Sequence, residues 1–214
     1  MEFPTLYPII DAALCDERGI DPAALAEACL AGGARLLQLR ARKDESSAAI
    51  LHLAERLVAA AHRVGARVIV NDRADIACLA DADGVHVGQS DLEVAAVRAI
   101  VGPDRIVGVS THDRAQIDDA LAGDATYVAV GPVFLTATKD SGYTPRGLDL
   151  VRYAAHRGMP VVAIGGIYRR WFNLIDNPRL DRDYTVFGRV SVGADVLDRI
   201  LECDAIERVT IFAR

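Results

Sequence analysis

Asp72 and Asp91 each stand just past a short apolar run, Val68-Ile69-Val70 before the first and Val85-His86-Val87 before the second. Two carboxylates with a neighbouring amide, Asn71 or Gln89, form an oxygen donor set that suits a hard cation such as Mg²⁺. Such an ion keeps several of its waters and clamps a phosphate against the protein. Each Asp also precedes a helical pattern, where a carboxylate caps the first turn; spacing alone leaves both roles open. Cationic groups occupy similar places. Arg40 ends an apolar run and is followed by Arg42 and Lys43, and Lys139 closes a threonine-rich stretch. An Arg fork matches two phosphate oxygens at once and a Lys supplies a point charge, although Arg42 and Lys43 equally fit a solvated surface cluster. Hydroxyls recur after other runs, in Ser110-Thr111-His112 and Thr136-Ala137-Thr138. Gly165-Gly166 leaves backbone N–H groups open to an anion, or makes a plain turn.

The elements that must position these residues follow from the pattern. Strands are expected at 7–11, 36–40, 67–70, 84–87, 105–109, 127–130 and 160–164. Helices are expected at 22–30, 46–64, 74–79, 92–100, 115–121 and 148–155. Continuous apolar runs are buried parallel strands, and their alternation with helical patterns builds βαβ units. Polar residues collected past the strand ends favour a closed (β/α)8 TIM barrel, whose chemistry sits at that face. No GxGxxG follows the first strand, which disfavours a dinucleotide fold.

Composition narrows the class. The chain has 214 residues, 51% of them hydrophobic, and a net charge of -6. That length supports one sizeable core, and the charge disfavours a nucleic-acid surface. There is no apolar run of about 18 residues or more and no signal-peptide pattern at the start, so a membrane partner is not expected and a cytoplasmic location is. Cys15, Cys29, Cys78 and Cys203 are dispersed without a CxxC and read as reduced thiols. His86 alternates with Val85 and Val87 and reads as a packed, hydrogen-bonded barrel residue rather than a ligand.

Six motifs carry a resemblance. QLRAR (38–42), VNDRADIA (70–77), GVHVGQSDL (84–92), GVSTH (108–112), VGPVFLTATKD (130–140) and VVAIGGI (161–167) occur in this order, and residues 5–167 strongly resemble thiamine-phosphate synthases. The resemblance implies a (β/α)8 barrel that joins a hydroxymethylpyrimidine diphosphate to a thiazole phosphate, giving thiamine phosphate and pyrophosphate with Mg²⁺ as cofactor. By motif, Gln38, Leu39, Arg40, Ala41 and Arg42 would bind the pyrimidine diphosphate, with Arg40 on its phosphates. The family usually has Lys in place of Arg42. Asn71 would hold the pyrimidine, and Asp72 and Asp91 the metal. Ser110 and Lys139 would contact the diphosphate side and, with Arg40, form the catalytic set. Thr136, Ala137, Thr138 and Gly166 would bind the thiazole phosphate. The implied partners are these small molecules, with a homo-oligomer left open.

Beyond Ile167 the family pattern stops. The family continues with a helix, an eighth strand ending in a Val-Ser-like pair, and a last helix. Here residues 171–211 resemble the C-terminal end of bacterial cyclophilins, most clearly in DNPRLD and YTVFGRV. The division is therefore a synthase-like barrel over 1–167 and a cyclophilin-like fragment over 168–214, with Thr185 to Val190 offered as a substitute eighth strand. Other readings are a thiazole tautomerase-like or regulatory barrel, a prolyl isomerase remnant and an inactive fusion. A tautomerase has no use for a Mg²⁺–diphosphate clamp, and a remnant without the isomerase's catalytic arginine lacks its chemistry.

Overall fold

A computed structural model describes residues 3–4, 6–42, 44–134 and 143–165. Seven parallel strands run in chain order, β1 (Ile9–Asp11), β2 (Leu36–Arg40), β3 (Arg67–Asn71), β4 (Gly84–Val87), β5 (Ile106–Thr111), β6 (Tyr127–Val130) and β7 (Val161–Ala163). The helices between them are α1 (Ala12–Glu17), α2 (Pro22–Ala31), α3 (Ser47–His62), α4 (Ala74–Leu79), α5 (Val94–Val101), α6 (Arg114–Ala122) and α7 (Gly147–Ala155). Strand bounds match the expectation at β2, β4 and β6. The short α1 was not expected, and the proposed eighth strand lies outside the described residues.

Local chemistry sets the helix starts. Asp21 accepts from the Ala23 N–H ahead of Pro22, Ser46 accepts from Ala49, and Asp113 accepts from Gln116. Each satisfies a donor that the first helical turn leaves unpaired. Asp11 does the same for α1 by accepting from Leu14.

Because side chains alternate along a strand, the sheet has two faces with different content. Leu37, Leu39, Val68, Val70, Val85, Val107 and Val128 point to the helices and pack with Leu57, Ile76, Val97 and Ile117 in the larger core. The other face carries a second cluster: Tyr7, Leu36, Ile69, Ile106 and Tyr127, with Phe3, Ile9, Val162 and Ile164 against it. Burial of this kind contributes about 25 cal/mol per Å² of apolar area, and it makes the helix–sheet layer the main source of stability.

One pocket is bordered by residues of every strand, from Ile9 of β1 to Val162 of β7. The sheet therefore curls around that pocket. The curl needs small residues on the inner face. A Cβ on Gly108 would lie 2.0 Å from Tyr127 Cζ, and one on Gly84 would lie 2.2 Å from the Ile106 carbonyl oxygen. The two glycines open the space that Tyr127 and Ile106 fill.

Candidate active site

The pocket opens at the C-terminal ends of the strands. Gln38 and Arg40 reach it from β2, Asn71 from β3, His86 from β4 and Ser110 from β5, with Tyr7 beneath. These positions share the inner face because the pairings Asn71 with His86, and His86 with Gly108, hold the strands in register.

The lower part of the site is a buried polar chain. Gln38 Nε2 donates to Tyr7 Oη at 2.9 Å, and the two phenol oxygens of Tyr7 and Tyr127 are 2.9 Å apart. Tyr127 Oη lies 2.8 Å from His86 Nδ1, and His86 Nε2 lies 2.9 Å from Ser110 Oγ. Gln38, Tyr7, His86 and Tyr127 are all buried. Burial pushes the Tyr7 and Tyr127 phenols well above their ordinary range, so both keep their protons. His86 is thus the packed, hydrogen-bonded residue expected.

The rim is charged. Arg40 Nη1 donates to Asp11 Oδ2 at 2.9 Å, both partly exposed. Arg42 bonds Asp44 through Nε and Nη2 and Asp16 through Nη1, all in solvent. Its hydrogen bonds hold the Asp44 carboxyl below the usual range and raise the guanidinium further above its own. Leu39 is fully buried toward the helices, so only its main chain is offered to the mouth, and Ala41 packs against the same outer core.

Neither metal candidate is spent on a helix cap. Helix α4 is capped by Arg73 and α5 by Glu93, each without a side-chain cap bond. Asp72 instead sits in the left-handed region at φ 64 and its N–H donates to the His86 carbonyl at 2.7 Å. A non-glycine residue held there is uncommon and marks a tightly determined turn. Asp91 Oδ2 accepts from the Gly88 N–H at 2.8 Å. Gln89 Nε2 donates to the Ser110 carbonyl at 2.7 Å and ties the loop after β4 to β5. Both carboxylates are exposed in the loops after adjacent strands. Among the described residues no group of three or more His, Cys, Asp and Glu side chains is gathered around a metal position. Two oxygen-donor carboxylates with water and substrate phosphate as further ligands are the set Mg²⁺ takes.

Thr136, Ala137, Thr138, Lys139 and Gly166 lie outside the described residues, as does Lys43. Three participants escaped sequence reasoning. Tyr7 and Tyr127 read as strand hydrophobes, and Asp11 as the end of a strand. The Asp11 signal was a carboxylate just past the first apolar run, the same signal used for Asp72.

No described helix is long and apolar enough to cross a membrane. The family model described as thiamine monophosphate synthase matches residues 6–175, and that of cyclophilin type peptidyl-prolyl cis-trans isomerase matches 171–212, outside the described residues. A thiamine-phosphate synthase of Chloroflexus aurantiacus is 40% identical, covering 89% of this chain and 86% of the relative. One of Mycobacterium tuberculosis is 48% identical, covering 76% of each. The solved thiamine phosphate pyrophosphorylase of Pyrococcus furiosus superposes with a TM-score of 0.68 at 29% identity, covering 78% of this chain and 77% of that one. On this match the chain belongs to the thiamine-phosphate synthase family, a family of transferase enzymes.

Proposed function

We propose that the chain condenses hydroxymethylpyrimidine diphosphate with thiazole phosphate, releasing pyrophosphate and forming thiamine phosphate. The observation that carries this reading is a pocket in which Arg40, Asn71 and Ser110, from three strands, converge at the mouth of the curled sheet. Arg40, held by Asp11, binds the phosphates, and Asn71 orients the pyrimidine ring. Ser110 and Lys139 meet the diphosphate, with Gln38, Leu39, Ala41 and Arg42 completing that side. Thr136, Ala137, Thr138 and Gly166 take the thiazole phosphate.

Asp72 and Asp91 would hold Mg²⁺, which when bound neutralises charge on the leaving pyrophosphate. The C–O bond to the pyrimidine methyl group breaks, its electron pair leaves with pyrophosphate, and the thiazole nitrogen forms the new C–N bond. Arg40, Ser110 and Lys139 stabilise the departing anion. The protein's work is positioning and electrostatics rather than covalent chemistry. The sheet is proposed to be seven strands of a (β/α)8 barrel over 1–167, with 168–214 a separate cyclophilin-like piece of sequence that takes the place of the family's last units.

The test is pyrophosphate release by the purified chain with both substrates and Mg²⁺. Release that depends on both substrates supports the reading, and none overturns it. Calorimetry with thiazole phosphate sharpens it: the missing Val-Ser pair predicts weaker binding than in a synthase that keeps it, and equal affinity rejects the damaged-pocket expectation.

A further inference from the structure

The buried chain from Gln38 to Ser110 has a direction, and that direction matters to the proposed reaction. Its first member here is an amide N–H, which only donates. Tyr7 accepts that bond, and among the described residues its own proton then has one acceptor, Tyr127 Oη. Tyr127 in turn passes its proton toward His86 Nδ1, which leaves the imidazole proton on Nε2, facing Ser110 Oγ. The reverse arrangement at Tyr127 fails. If Nδ1 donated to Tyr127, one of the two phenols would accept from both its neighbours and hold a proton with no acceptor in the chain, and both phenols are buried. A buried donor left without an acceptor is destabilising, because it has lost water and gained no partner.

We infer that Tyr7, Tyr127 and His86 are positioning residues that polarise this chain, so that the Ser110 hydroxyl accepts from His86 and aims its own proton into the pocket. There it serves an anionic oxygen, which under the reading proposed above is a diphosphate oxygen of the substrate. Three further observations fit. Both phenols stay protonated because burial opposes their ionisation. The Ser110 hydroxyl has no second partner among the described residues. Gly108, two residues before Ser110 on β5, leaves room for the Tyr127 ring, where a Cβ would lie 2.3 Å from the phenol oxygen. A serine without this chain could turn its proton to His86 and meet the substrate with a lone pair.

Two measurements test it. The first is the tautomer of His86 in the ¹⁵N-histidine-labelled full chain at mildly alkaline pH, with the signal assigned by its absence in His86→Gln. A proton on Nε2 with Nδ1 as acceptor is expected. A proton on Nδ1, or on both nitrogens, overturns the polarity. This readout needs no turnover, so it decides the inference even where a failed assay has rejected the proposed reaction. The second is a double-mutant cycle between Tyr127→Phe and Ser110→Ala, read as pyrophosphate release. Tyr127→Phe alone should lower kcat roughly tenfold, the effect of about one hydrogen bond, with the KM for thiazole phosphate unchanged. In the Ser110→Ala background the same change should cost less than about twofold, since the end of the chain is already gone. Equal losses in both backgrounds mean Tyr127 acts only through packing and overturn the positioning role.

Discussion

The floor and the rim of the pocket hold their polar groups in opposite ways. On the floor Gln38, Tyr7, Tyr127 and His86 are buried, and each finds its partner in the next. At the rim Arg40, Arg42 and Arg73 pair with Asp11, Asp16, Asp44 and Asp75 while partly or largely in water. An exposed ion pair adds about 0–1 kcal/mol because solvent screens it. A buried polar chain is costly the moment one member is lost. The floor therefore carries shape and stability. The rim is free to exchange its partners for a substrate.

The comparison breaks most visibly at Gly108. Gly108→Ala puts a methyl group into the Tyr127 ring and should cost roughly 3 kcal/mol, or about 10 °C in melting temperature by calorimetry. A stable Gly108→Ala protein would show the floor to be loosely packed. The rim counterpart is a kinetic loss without a thermal one. Arg40→Ala should lower turnover about a hundredfold, with melting within roughly 2 °C of the parent; the same is expected of Lys139→Ala, which lies outside the described residues. A large fall in melting temperature would make the residue concerned a structural one.

Alkali separates the regions again. Tyr7 and Tyr127 keep their protons in the folded chain above the ordinary tyrosine value of 10.0, whereas the unfolded chain releases them. The unfolded state then binds fewer protons, so stability present below that value falls as pH rises beyond it. The slope is about 1.4 kcal/mol per pH unit for each phenol. Urea melts between about pH 9 and pH 11 should show it, and Tyr127→Phe should lose part of the slope. An unchanged slope would contradict the buried assignment.

Smaller effects lie wholly at the rim. Asp72→Asn and Asp91→Asn should each raise the Mg²⁺ concentration for half-maximal turnover about tenfold. An unaltered requirement would remove that residue from the metal site. Arg42→Ala should leave the urea midpoint close to that of the parent, and a clear loss by urea denaturation would move Arg42 from rim to scaffold.

Legibility in the sequence followed the same divide. Arg40, Asn71, Asp72 and Ser110 end or follow apolar runs, so strand polarity alone sends them to one mouth. Strands β4 and β6 are short runs bounded by polar or glycine residues, which give their limits directly, and β2 starts after Arg35 and ends at Arg40. Helix α1 is too short for a repeat to show, and its cap Asp11 looks like the end of β1. Tyr7 and Tyr127 were missed for another reason. Each is an aromatic beside apolar neighbours, which fits a strand core. Their polar use depends on β6 setting Tyr127 opposite Gly108, a pairing no local pattern contains. Sequence also could not tell whether Asp72 and Asp91 cap a helix, because the start of the next helix decides it.

Each strand of the sheet pairs with the strand that precedes it in the chain. A nascent polypeptide can therefore add βα units to the sheet one after another as it leaves the ribosome, each meeting a surface already made. The contact between Tyr7 and Tyr127 is different, joining positions 120 residues apart. Until β6 emerges, Gln38 and Tyr7 can bond each other, but the phenol of Tyr127 that joins them to His86 is missing. The strand order allows local assembly along the chain, whereas the polar chain that begins at Gln38 and Tyr7 closes only when β6 is in place.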